Sequence, residues 1–312
     1  MSEQLRFHKP FYNLKDIIIT TMMSLFYLLI SYFLIGFNFN QVVLALLFNT
    51  LYYASAPTRK FILGFSIFIV YWILFDYMKA FPNYNYNKVH IAELYHLEKH
   101  LFGIFDNGIL VTPNEYLRSH STAAVDFIGG LFYLMWIPVP LAFAAYLFFA
   151  KREQFLHFSL TFVVVNLIGF VIYYLYPAAP PWYVLEHGFV FIAHTHSNPA
   201  GLIRFDHLVN APVFQSIYRQ GSNVFAAMPS LHSSYPVIVL YYGLKNRLGW
   251  MNIIFAIVML GIWFTAVYAS HHYVLDVFAG ITCAIIGISL FKWLVKHTVL
   301  KTSLEKMLVI IR

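Results

Sequence analysis

Two histidines and an aspartate carry the chemistry that this sequence can offer. His272 and Asp276 are four residues apart, so on a helix they share one face and the carboxylate can accept an imidazole N–H. That contact fixes the tautomer and leaves the other ring nitrogen free as a base or a nucleophile. His271 is rotated about 100° away on such a helix and is the weaker candidate. Upstream, Met228-Pro229-Ser230-Leu231-His232 reads as a helix start. The Ser230 hydroxyl and the backbone N–H groups near Ser230 and Leu231 would form an anion site at its positive end, beside a second imidazole. A nucleophile, an acid–base group and an anion cradle are the parts of phosphoryl transfer through a phosphohistidine. The plain alternative for His272 and Asp276 is a polar pair satisfied between helices.

These residues meet only if the elements between them return the chain to the same place. The 312-residue chain is 60% hydrophobic and 11% charged, against about 25% charged in soluble domains, so it reads as a polytopic membrane protein. Apolar runs place eight spans at about 17–36, 41–56, 61–78, 125–149, 155–176, 231–244, 251–269 and 273–295. The second and sixth are short. The run from Ile17 to Phe37 has no small-residue cleavage pattern behind it and reads as a retained span rather than a signal peptide. The expected fold is all-α, a membrane helical bundle. Residues 1–60 form N-terminal membrane helices, 61–296 the catalytic membrane core and 297–312 a basic tail.

A net charge of +7 is explained by the loops and gives no reason to invoke nucleic acid. Arg6, Lys9, Lys15, Arg59, Lys60, Lys151, Arg152, Lys245, Arg247, Lys292, Lys296, Lys301, Lys306 and Arg312 fall on one side, fourteen of the twenty basic residues. The others lie in two long loops on the opposite side, where charge has little effect on topology. Both termini are therefore expected in the cytoplasm, with both polar motifs facing the periplasm or a lumen. A bacterial inner membrane is the expected location.

The first long outward loop, Ala80 to Ala124, contains Ile91, Leu94, Leu97, Leu101 and Phe105 at helical spacing, which predicts an amphipathic interfacial helix with His and Glu on its other face. Glu93, His96 and His100 could bind metal, but one Glu-x-x-His is weak evidence. His187, His194, His196 and His207 in the second loop match no standard ligand set. No metal or cofactor is expected. Pro177-Ala178-Ala179-Pro180-Pro181-Trp182-Tyr183 opens that loop, and its Trp and Tyr would suit an interfacial anchor. Cys283, the single cysteine, reads as apolar filler.

Pro229-Ser230-Leu231-His232 and His272-x-x-x-Asp276 resemble the second and third motifs of the type 2 phosphatidic acid phosphatase superfamily. Ala226-Ala227-Met228-Pro229-Ser230-Leu231-His232, His271-His272-Tyr273-Val274-Leu275-Asp276, Ala179-Pro180-Pro181-Trp182-Tyr183 and Glu98-x-x-Leu101-Phe102-Gly103 resemble its inositol phosphorylceramide synthase branch. Over about residues 60 to 295, the resemblance implies that His272 is the nucleophile, Asp276 its orienting partner and His232 the acid and then the base. The superfamily's phosphatases carry an arginine six places before the third-motif histidine, where this chain has Ala266, and a basic first motif that is absent near Pro180. Arg204 and Arg219, the arginines of the second loop, are nominated as phosphate ligands in their place, with Ser230, Trp182 and Tyr183 as further substrate contacts.

The resemblance thus implies a membrane phosphotransferase moving a phospho-headgroup, phosphoinositol among the candidates, from a phospholipid donor to a ceramide- or diacylglycerol-like acceptor. The alternative is a lipid phosphate or polyprenyl pyrophosphate phosphatase using the same residues. A proton-coupled transporter would need ionisable residues at mid-membrane depth and inverted repeats, and the sequence displays neither.

Overall fold

The computed structural model describes residues 13–219, 221 and 223–312, so Arg6 and Lys9 lie outside it. It is helical apart from one two-stranded hairpin. In chain order the elements are α1 (Leu14–Ile35), α2 (Phe39–Ala54), α3 (Ala56–Tyr77), α4 (Ala92–Phe102), β1 (Ile104–Asp106), β2 (Ile109–Val111), α5 (Pro113–Ser119), α6 (Ala123–Leu134), α7 (Pro138–Ala150) and α8 (Arg152–Leu175). There follow α9 (Pro181–His187), α10 (Ile203–Val209), α11 (Val213–Tyr218), α12 (Leu231–Lys245), α13 (Met251–Tyr268), α14 (Val274–His297) and α15 (Leu300–Ile311). Among the described residues six helical segments are long and apolar enough to cross a membrane: α1, α3, the α6–α7 pair, α8, α13 and α14. The two short expected spans are α2 and α12, with 16 and 15 residues. Both fall below the roughly 17 residues that a bilayer requires.

The chain forms two compact units, one running to Ala80 and including Glu305–Arg312, the other Phe81–Leu304. In the first, α1, α2 and α3 are joined by paired side chains: Thr20 Oγ1 to the Tyr53 hydroxyl at 2.8 Å, Asn49 Nδ2 to Ser24 Oγ at 2.7 Å and Ser31 Oγ to the Tyr77 hydroxyl at 2.9 Å. Lipid cannot drive apolar helices together, so such interhelical bonds supply part of the specificity.

In the second unit α12 is the buried helix, packed against α8, α13 and α14. Tyr235 donates to Asn166 Oδ1 at 2.7 Å and Tyr242 to the His157 carbonyl at 3.0 Å, which tie α12 to α8. Its contact with α14 depends on Gly280, where a Cβ would collide with the Ser230 carbonyl. Ser230 N–H donates to the Asp276 carbonyl at 2.9 Å and Ser234 Oγ to the Gly280 carbonyl at 2.7 Å. These bonds set the register of the two helices that carry the motifs.

The interfacial helix predicted in the first loop is present as α4, but its faces divide differently. Ile91 and Leu94 are buried, whereas Leu97, Leu101 and Phe105 are exposed, and Glu98 rather than a leucine completes the inward face. The buried polar end of α14 explains the exchange, because Glu98 Oε1 and Oε2 accept the Val274 and Leu275 N–H groups at 2.9 and 3.1 Å. Beside it, His90, Ala178 and Phe225 strap three loop segments together: Ala178 N–H reaches the Phe225 carbonyl at 2.9 Å and Ala179 N–H the His90 carbonyl at 3.0 Å.

Candidate active site

The loop between α13 and α14 is fixed before any side chain is considered. His271 and His272 N–H both donate to the Ala266 carbonyl, at 3.1 and 3.0 Å, and Asn114 Nδ2 donates to the Val267 and His272 carbonyls at 2.8 and 2.9 Å. Ser270 adopts a left-handed conformation, φ 58°, of the kind that non-glycine residues reach only when their surroundings hold them there. Its carbonyl accepts the Trp182 N–H at 2.9 Å, so the second loop closes over the first motif residue. Ala266 itself is buried among Tyr133, Phe214 and Ile262. Position 266, at which the resemblance leads one to look for an arginine, is here part of an apolar core.

Within that frame His272 Nε2 lies 3.1 Å from His232 Nδ1, across the forty residues that separate them. His272 Nδ1 is 3.5 Å from Asp276 Oδ2, at the edge of hydrogen-bond reach and without the alignment of a good bond. Catalytic hydrogen bonds are often loose before substrate binds. Asp276 is completely buried; its Oδ2 accepts the Tyr273 N–H at 2.8 Å and its Oδ1 has no partner. A His272 that keeps its proton on Nδ1, toward the Asp276 carboxylate, has its lone pair on Nε2, and His232 Nδ1 is then the donor across the 3.1 Å contact.

His271 is not part of this pair. Its ring is stacked between Tyr218, with centroids 4.5 Å apart, and Tyr133, at 5.7 Å. Its Nε2 donates to the Pro199 carbonyl at 2.8 Å. Burial and the neighbouring His272 lower its pKa to about 3, so it is neutral at any working pH and serves as a spacer.

Ser230 caps α12. Its hydroxyl is buried and accepts the Ser233 N–H and hydroxyl at 3.3 and 3.0 Å, while its own N–H is taken by Asp276. The helix-end donors that remain are those of Leu231 and His232. Trp182 and Tyr183 are core residues in a cluster with Val89, Ile91 and Phe225, not interfacial anchors. Arg204 Nε is paired with Asp126 Oδ1 at 2.7 Å, and its guanidinium lies 5.1 Å from the Tyr268 ring centre. Arg219 is exposed. Neither arginine touches His232 or His272. Glu93 is paired with Lys88 at 2.7 Å, and among the described residues no group of three His, Cys, Asp or Glu side chains is placed to hold a metal ion.

Two residues that the sequence did not single out pack against His232. The Tyr133 hydroxyl is 3.3 Å from His232 Nδ1, and the Trp136 ring stands edge-on to His232 with centroids 4.3 Å apart. Both belong to an aromatic-rich apolar span, so no local pattern distinguishes them.

The model of the PAP2 superfamily matches residues 93–290 of the chain. The chain is 45% identical to phosphoinositol dihydroceramide synthase of Bacteroides thetaiotaomicron, over 88% of this chain and 90% of that protein. It is 28% identical to inositol phosphorylceramide synthase of Candida albicans over 58% of this chain and 38% of that one. It is 30% identical to the catalytic subunit of inositol phosphorylceramide synthase of Saccharomyces cerevisiae over 37% and 29%. No solved structure matches.

Proposed function

Because the chain belongs to the PAP2 superfamily, we propose that it is a lipid phosphotransferase that moves phosphoinositol from a glycerophospholipid to a ceramide-type acceptor, through a phosphohistidine on His272. The observation that carries this reading is the 3.1 Å contact between His272 Nε2 and His232 Nδ1, with Asp276 behind the nucleophile. Substrate phosphorus enters by parting the two rings. In the first half-reaction, with His232 as the imidazolium, Nε2 attacks phosphorus, the bond to the diacylglycerol oxygen breaks, and His232 gives that oxygen a proton and is left neutral. In the second, His232 takes the proton of the acceptor hydroxyl, that oxygen attacks phosphorus, and the electron pair of the N–P bond returns to His272. The Leu231 and His232 N–H groups at the start of α12 supply part of the positive potential that arginines supply in the related phosphatases.

The ceramide-type acceptor and the phosphoinositol headgroup are drawn from the Bacteroides relative, whose length this chain nearly spans. Purified protein in mixed micelles with phosphatidylinositol, labelled at phosphorus, and dihydroceramide should yield a labelled inositol phosphosphingolipid. Acid-labile, alkali-stable label should be trapped on the protein when the acceptor is withheld. His272→Ala should abolish both signals. Label released only as a water-soluble phosphate, with no lipid product, would replace this reading with the phosphatase one.

A further inference from the structure

The residues that transfer phosphorus to a lipid hydroxyl transfer it equally well to water, so something near His232 must choose between them. The geometry points to Trp136 as the residue that sets transfer over hydrolysis, an inference that rests on the phosphotransferase reading above. His232 protonates the oxygen that leaves and deprotonates the oxygen that attacks, so both occupy one place beside its ring. Trp136 bounds that place: its indole is edge-on to His232 at 4.3 Å and stacks at 6.0 Å on Tyr235, which in turn packs against Phe162 at 4.5 Å.

The backbone is arranged to put the indole there. The span formed by α6 and α7 breaks at Met135–Ile137, and the break turns Trp136 into the bundle. Irregular backbone at membrane depth persists only where protein or a cavity covers it. The indole also lines a small recess with Val139, Pro236, Val239 and Phe255, all apolar residues. A recess of this kind stays dry. The two lipid oxygens bring hydrocarbon to that wall, whereas a water poised for His232 finds no hydrogen-bond partner on the recess side and keeps only the Tyr133 side.

The balance of the competing steps is simple. On the phosphohistidine, either the acceptor hydroxyl or water gives its proton to His232 and forms the new P–O bond, while the N–P bond breaks and its electron pair returns to Nε2. Lipid product or free inositol phosphate results, and their ratio reports the choice.

Trp136→Ala and Trp136→Phe, each checked for folding by its melting temperature, are assayed for both products with phosphatidylinositol and dihydroceramide. The hydrolysed fraction should rise about tenfold in Trp136→Ala and less in Trp136→Phe, and adding His272→Ala should remove both products. If Trp136→Ala does not fold, Trp136→Phe decides alone, a rise supporting the inference. An unchanged product ratio, with total turnover lowered or not, overturns it. A wild-type protein that makes no lipid product in the same assay refutes the phosphotransferase reading instead.

Discussion

A hydroxyl facing a catalytic proton tunes its transfer without necessarily holding the fold, and Tyr133 is placed in that way. Tyr133→Phe keeps the ring against His271 and Phe214 but removes the 3.3 Å contact with His232 Nδ1, along with a hydrogen bond to Tyr218 that Tyr218→Phe removes alone as a control. One hydrogen bond of about 1 kcal/mol should lower kcat by five- to tenfold, with KM and melting temperature nearly unchanged. Initial rates over a donor series separate the two constants, and a loss confined to KM would refute the assignment. Asp276→Asn places an amide beside His272 Nδ1, which favours the proton on Nε2 and masks the nucleophile. Turnover should fall by about 10²–10⁴, measured as product formation and as trapped label together. His272 and Asp276 were legible by their spacing of four, but not for the reason of a shared helix face: His272 lies in the loop before α14 and Asp276 in its first turn. His232 was legible because Pro-Ser marks a helix start. Tyr133 and Trp136 were not, since in a chain that is 20% aromatic their types carry no signal before the fold brings them to His232. Arg204 was nominated by charge alone, and charge counting cannot see that Asp126, on α6, already holds it.

At the scale of elements the site depends on how closely α12 and α14 approach and on what holds the end of α14. Gly280→Ala forces a methyl into the Ser230 carbonyl. Overpacking of this kind costs about 1–3 kcal/mol, and because it moves His232 away from His272, activity should fall further than the loss of melting temperature explains. Equal loss of both would make Gly280 a matter of stability alone. Glu98 is the second control. Burial raises its pKa to about 7, against the two α14 N–H groups that favour its charged form. The native state then keeps a proton that the unfolded chain, near 4.5, has released, so stability is highest below 4.5 and declines as pH rises to about 7. Glu98→Gln should flatten that decline, read as melting temperature at pH 5 and pH 8; an undiminished slope would place its origin elsewhere. The hydrophobic period located α4 but misassigned its inner face, because periodicity ranks apolar side chains above a carboxylate whose partners lie at Val274 and Leu275, distant in sequence. The short α2 and α12 were legible for a simpler reason: helix length against bilayer thickness is read directly from the apolar run.

For the whole molecule, the question is which way the site faces. In the larger unit α8 connects two unlike ends. At one, Lys151 Nζ reaches the Asn246 carbonyl at 3.4 Å, which joins two short connections flanked by Arg152 at the start of α8 and by Lys245, the last residue of α12, and Arg247. At the other, Pro177 and Ala178 join His90 and Phe225 in the strap beside the motif loop. Short loops rich in Lys and Arg resist translocation, so the basic end is expected in the cytoplasm and the histidine pair at the opposite surface. A membrane-impermeant maleimide tests this in intact cells, with the native Cys283 buried and contributing little background. Asn107→Cys, at the exposed tip of the β1–β2 hairpin, should be labelled without permeabilisation, and Lys245→Cys only after it. The reverse pattern would turn the histidine pair to the cytoplasm. Under the expected orientation donor and acceptor must both be present in the outward leaflet. Cells in which dihydroceramide is confined to the cytoplasmic leaflet should then make product no faster than the lipid crosses.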